Sequence, residues 1–132
     1  MGVGQRGVDA MSGERGFDVT NAGEITVVRL RDRKLHDQER IEELGRELFE
    51  LVEGRNCRQL VLNFVDVEFI SSATLGKLIV LDRKVKAVNG QLRMCHVSPE
   101  ILEVFRVTRL DRVFDIRGEE SEALAAFQGF EA

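Results

Sequence analysis

The stretch Val61-Leu-Asn-Phe-Val-Asp-Val-Glu-Phe-Ile-Ser-Ser-Ala-Thr-Leu-Gly-Lys-Leu-Ile-Val-Leu81 changes periodicity in its middle. With Leu60 before it, the run to Val65 is almost continuously apolar, as a strand covered on both faces would be. From Thr74 to Asn89 the apolar residues fall at helical spacing. Leu75, Leu78, Leu81, Val85 and Val88 line one face, and Lys77, Asp82, Arg83, Lys84 and Lys86 fall largely off it. Asn89-Gly90 ends that helix, and lysines in its last turns suit the dipole. Ser71 and Ser72 sit where turn becomes helix. A hydroxyl there can cap the helix, and a phosphate there would face its positive end. The position therefore tolerates two charge states, which is the property of a switch.

Outward from this core the same alternation repeats. Phe17 to Asn21 reads as a short edge strand and Asn21-Ala-Gly-Glu24 as a turn. Ile25 to Leu30 is β-branched and reads as a strand, and the polar Arg31 to Asp37 as a loop. Ile41, Leu44, Leu48, Leu51 and Val52 recur at helical spacing between Gln38 and Glu53, with Gly54 as the stop. Gln91 to Val97 is the next strand. Ser98-Pro-Glu-Ile101 opens a helix reaching Thr108: Ser98 can cap, Pro99 fits the first helical position, and Glu100 suits the positive end. Val113 to Ile116 is a short strand and Glu119 to Phe127 a terminal helix. Strands alternating with helices predict a single α/β domain. Its central sheet is mixed but mostly parallel, with four to five strands and about four helices. Ligands and partners of such sheets meet the carboxyl ends of the strands, and Ser71 and Ser72 lie just past one.

The 132 residues fit one domain and one core. Residues 17–127 are expected to form it, with a disordered tail over 1–16 and a short tail over 128–132. The 19 basic and 23 acidic residues give a net charge of −4, which argues against a nucleic-acid binder. No apolar run approaches the ~20 residues of a membrane span, and the first residues resemble neither a secretory signal nor a myristoylation site. A cytoplasmic location is expected. Cys57 and Cys95 are far apart and in no metal-spaced motif, so they read as free thiols.

The segment Leu60 to Gly76, with Asn89-Gly90, Leu92 to Pro99 and Phe105-Arg-Val-Thr-Arg-Leu-Asp-Arg-Val-Phe-Asp-Ile116, resembles the STAS domain. In particular it resembles the free-standing bacterial anti-sigma factor antagonists, over roughly Phe17 to Phe127. The resemblance implies partner switching. In that family the unphosphorylated antagonist binds an anti-sigma factor that is also a serine kinase, which frees the sigma factor. Phosphorylation of a serine at this helix start dissolves the complex, and a phosphatase resets it. The family's motif is Asp-Ser-(Ser or Thr)-Gly-Leu-Gly, with its first serine as acceptor. Aligned on Leu75-Gly76, the acceptor falls on Ser72. Here Ser71 replaces the aspartate, Ala73 the second hydroxyl residue and Thr74 the first glycine. Ser71 thereby becomes an alternate acceptor. The loop Arg31 to Asp37 lacks the Gly-Glu-(Leu or Ile)-Asp stretch common in the family.

The surface expected to dock the partner comprises Asp66, Val67, Glu68, Phe69, Ile70, Ser71, Thr74, Lys77, Ser98 and Pro99. Each has a plainer reading. A serine at a helix start is most often a cap contributing ~1 kcal/mol. Asp66 suits a turn after a strand, and Lys77 suits solvated surface. His36 and His96 have no metal-ligand spacing. Ser72 is not in a Gly-x-Ser-x-Gly elbow, and no phosphate-binding glycine loop is present. No acid, base and nucleophile come together, so neither an enzyme nor a cofactor is expected. The competing reading is a scaffold that assembles with itself or with other STAS proteins, in which both serines are mainly caps.

Overall fold

The computed structural model describes residues 17–129. Strands β1 (Phe17–Ala22) and β2 (Ile25–Leu30) pair antiparallel, with Ala22 opposite Ile25. Gly23 turns the hairpin at φ +67°, the positive angle that primed two-residue turns require. β3 (Lys34–Leu35) leads to α1 (Gln38–Glu53), whose first turn is capped by the Asp37 carboxylate accepting from the Arg40 N–H. There follow β4 (Gln59–Asn63), β5 (Phe69–Ile70), α2 (Ser72–Ala87) and β6 (Gln91–Cys95). The chain closes with α3 (Pro99–Val107), a 3₁₀ turn (Leu110–Arg112), β7 (Asp115–Arg117) and α4 (Glu120–Gly129).

The main sheet has five strands in the order β1-β2-β4-β6-β7, and every pairing except β1 with β2 is parallel. β4 is its centre. Leu60 and Leu62 point to one face and Val61 to the other, and all three are fully buried. That is why this strand has no polar alternation. The first face packs on α1, α2 and α3 through Leu44, Leu48, Leu78, Leu81, Val85, Ile101 and Phe105. The second is covered by α4, where Ala123 and Phe127 meet Ile25, Val27, Val61 and Cys95. The expected α/β class, strand number and four helices are those of the structure.

Several boundaries differ from expectation. β4 stops at Asn63 rather than Val65, because the Asn63 side chain accepts the Val65 N–H at 2.9 Å and draws the backbone into a turn. Val65 is left half exposed. The polar loop Arg31 to Asp37 contains β3, which pairs parallel with β5 as a separate two-stranded ladder. The last strand is Asp115–Arg117, not Val113 to Ile116. Phe114 is held back by its N–H to the Leu110 carbonyl and by an edge-on contact with Phe105, 5.4 Å between ring centres. Asp82, expected off the apolar face of α2, is buried with its carboxylate 2.9 Å from Lys86 one turn on. α4 runs to Gly129, two residues into the stretch expected as a tail. The expected disorder of residues 1–16 lies outside the described residues, as do residues 130–132.

The end of α2 uses both members of Asn89-Gly90, for different reasons. Asn89 takes φ +60° and donates to the Lys86 carbonyl, while Gly90 donates to the Val85 carbonyl. These are the two bonds of a Schellman motif. Gly90 is required by proximity, since a Cβ there would lie 2.3 Å from the Arg58 carbonyl oxygen.

Candidate functional site

α2 and α3 both begin at the carboxyl end of the sheet, following β5 and β6 respectively, and α3 packs against β5. Each starts on a serine cap. The Ser71 hydroxyl accepts the Thr74 N–H at 3.3 Å, and the Ser98 hydroxyl accepts the Ile101 N–H at 3.2 Å. Pro99 occupies the first position of α3. The helix of the candidate site therefore starts at Ser72, not Thr74, and the two adjacent serines have separate surroundings.

Ser71 is half-buried and fully engaged. Beyond its capping bond, its Oγ lies 3.3 Å from the Thr74 Oγ1, and its own N–H donates to the Leu35 carbonyl at 2.9 Å. Thr74, only 1% exposed, donates its hydroxyl to the same Leu35 carbonyl at 2.9 Å. Ser72 is the first residue of the helix and is exposed, and among the described residues its hydroxyl has no hydrogen-bond partner. Among the described residues no histidine, carboxylate or lysine is hydrogen-bonded to either hydroxyl. Among the described residues no cluster of histidine, cysteine and carboxylate side chains could hold a metal ion.

The loop from β4 to β5 is tied down on both sides. Asp66 receives a fork from Arg29, with Nε at 3.1 Å and Nη2 at 3.3 Å. The Asp66 hydrogen bond and charge raise the Arg29 pKa above its ordinary value. Glu68 takes both Nε and Nη2 of Arg33 on one oxygen, at 3.2 and 3.0 Å. The Glu68 N–H also donates to the Arg33 carbonyl at 2.7 Å.

The residues expected to dock a partner divide by burial. Val67, Ile70 and Thr74 are 2%, 5% and 1% exposed, so their side chains are packed in the core and offer a partner little surface. The alternation of β5, paired with β3, turns Ile70 inward and Phe69 outward, while Thr74 faces inward from the helix with its hydroxyl on the Leu35 carbonyl. Phe69 is 49% exposed, with the His36 ring tilted against it at 6.2 Å. Glu68, Ser72 and Pro99 are exposed, and Asp66, Ser71, Lys77 and Ser98 half-buried. Lys77 is engaged across the helix pair: its Nζ is 3.0 Å from Glu42, and its stem lies over Gly45 of α1.

Sequence reasoning missed Leu35, whose carbonyl joins β3 to the start of α2, and Arg29 and Arg33, which anchor the loop. Only a charged residue at an otherwise apolar strand position, Arg29, gave any signal. Gly76, part of the motif quoted from the sequence, is exposed on α2 with open space where a Cβ would stand. At the opposite, amino ends of β4 and β6 a cleft of about 670 Å³ opens, bordered by Arg55, Arg58 and Asn89.

The model of the STAS domain matches residues 17–123. BtrV from Bordetella bronchiseptica, named a candidate anti-sigma factor antagonist, is 30% identical over 87 residues, covering 66% of this chain and 74% of its own. Among solved structures, an anti-sigma-factor antagonist (STAS) domain protein from Planctomyces limnophilus superposes with a TM-score of 0.74 at 26% identity, covering 83% and 95% of the two chains. SpoIIAA of Bacillus was solved unphosphorylated and phosphorylated. Both forms match with a TM-score of 0.66, at 21% and 22% identity; coverage is 86% and 84% of this chain and 98% of SpoIIAA in each form. At that identity the SpoIIAA match speaks to the fold.

Proposed function

The chain belongs to the STAS domain family, and from that premise we propose that it is an anti-sigma factor antagonist controlled by phosphorylation of Ser72. In its unphosphorylated form it binds an anti-sigma factor of the serine-kinase type, and a sigma factor is released. The kinase modifies Ser72, the complex separates, and a phosphatase restores the free hydroxyl. The observation that carries this reading is the Ser72 hydroxyl, exposed and unpartnered at the first position of α2.

The physics of the switch follows from that position. A phosphoserine adds roughly −1.5 to −2 charges. At the helix start that charge meets the positive end of the dipole, so the fold accepts it. An interface matched to a neutral hydroxyl does not, because the phosphate must be desolvated and is repelled by any acidic partner surface. Phe69 and Pro99 offer apolar contact at the same pole. The cytoplasm is the compartment this cycle requires. No helix among the described residues is long and apolar enough to cross a membrane.

Capture from native cells on wild-type, Ser72→Ala and Ser72→Glu baits tests the reading. Recovery of a serine-kinase anti-sigma factor by the first two baits and not the third is expected. Equal recovery by all three, or recovery of other STAS proteins alone, would put the scaffold reading in its place.

A further inference from the structure

Two serines stand side by side at the start of α2, and a kinase presented with both must take one. We propose that Thr74 is the positioning residue that makes this choice, by locking Ser71 into the cap and leaving Ser72 as the acceptor. The inference rests on the reading of this helix start as a phosphoacceptor site. It adds a residue that never meets the phosphate.

The argument is one of proton count. Each hydroxyl carries a single proton. That of Thr74 is committed to the Leu35 carbonyl, 2.9 Å away and buried, where leaving a donor or acceptor unmatched is costly. The 3.3 Å contact between Thr74 Oγ1 and Ser71 Oγ must then use the Ser71 proton. A lone pair of Ser71 Oγ takes the Thr74 N–H. A second lone pair stays open, so the hold on Ser71 lies in its proton, which phosphoryl transfer must remove. The serine Oγ forms a bond to the γ-phosphorus of ATP, the bond from that phosphorus to the bridging oxygen breaks, ADP leaves, and the hydroxyl proton passes to a base of the kinase. Ser71 cannot release its proton to a kinase base without breaking the Thr74 contact. Its own N–H is also fixed, to the same Leu35 carbonyl at 2.9 Å. Ser72 breaks nothing.

Thr74 stands where the family motif carries glycine, and Ser71 where it carries aspartate. The two departures are coupled: a serine at the cap introduces a rival acceptor, and a threonine three residues later disarms it. A glycine at position 74 would leave the Ser71 proton without that acceptor.

The test uses the serine kinase captured on the wild-type chain, radiolabelled ATP, and phosphosite mapping by mass spectrometry. Wild type is expected to carry label on Ser72 and not on Ser71. Ser72→Ala should lose label by about tenfold or more, the scale of one hydrogen bond that must be broken before reaction. The double variant Ser72→Ala with Thr74→Val should regain label, now on Ser71. Ser72→Ala with Thr74→Ser, which restores the hydroxyl, should stay at the low level of Ser72→Ala. Far-UV circular dichroism of each variant shows whether the helix is intact. Label on Ser71 in Ser72→Ala at a level close to that of wild type overturns the inference while leaving the helix start as an acceptor site. A silent, folded Thr74→Val double variant also overturns it. Wild type that takes no label while the kinase is active on another substrate removes the proposed function, and this inference with it.

Discussion

Ser71 and Ser72 are chemically identical, and their difference lies wholly in what surrounds each oxygen. Ser71→Ala removes the cap of α2 and should cost about 1 kcal/mol of stability, whereas Ser72→Ala should stay within about 0.5 kcal/mol of wild type. Urea unfolding midpoints of the two variants check this, and equal losses would mean that the cap is misassigned. The thiols show the same dependence on surroundings. Burial pushes the Cys95 thiol up to about 12, helped by the charge of Glu120, and burial also raises Cys57. Since the thiolate is the reactive form, both should be silent to a disulfide reagent at pH 8 in the native chain and both reactive in denaturant. At this scale the sequence was only half legible. The pair of serines and the cap at Ser98 stood out by residue type, but which serine caps depends on a helix start placed to within one residue. Nothing in Ile70 announces that it turns inward, because that follows from a two-residue ladder with no periodicity to detect.

Helices α1 and α2 are joined across their surfaces as well as through the core. Glu42 meets Lys77 at 3.0 Å, and Gly45 leaves room for the lysine stem. The glycines of α2 and its end make opposite predictions. Gly76 is exposed with open space at its Cβ position, so Gly76→Ala should stabilise the helix by up to about 1 kcal/mol. It lies one turn beyond Ser72 on the same side, so the added methyl should also weaken capture of the anti-sigma factor. Thermal melts and pull-downs on one preparation separate the two effects. Gly90→Ala forces a Cβ against the Arg58 backbone carbonyl and should cost more than about 1 kcal/mol. Long periodic elements such as α1 and α2 were legible because each buried residue repeats the message. β3 and β5 were not, since two residues cannot establish a period.

Across the whole molecule the parallel order of strands followed from alternation alone, since strand–helix–strand connections leave few topologies. The far edge of that sheet holds a charge cluster that reads as surface in the sequence. Burial alone would raise the Asp115 pKa. The Arg117 hydrogen bond and the charges of Arg93 and Arg117 outweigh it and hold the carboxyl below its ordinary 3.8. Arg93 also lies over the Phe127 ring of α4, so the cluster ties the edge strand to the helix that covers this face of the sheet. A depressed carboxyl contributes stability above its unfolded pKa and loses it as pH falls through the native value. Melting temperature should therefore fall as the solution is acidified below 3.8, and Asp115→Asn, less stable at neutral pH, should fall less steeply. Parallel acid titrations of the two proteins decide it.

Around the switch, inward and outward side chains alternate: Val67, Ile70 and Thr74 hold the fold, while Phe69, Ser72 and Pro99 stand clear of it. The residues proposed to meet a partner are thus separate from those that hold the fold. A duplicated copy of such a chain can change Phe69, Pro99 or their neighbours and acquire a new partner without repacking its interior, so that related pathways in one cell can part in allegiance long before they part in architecture.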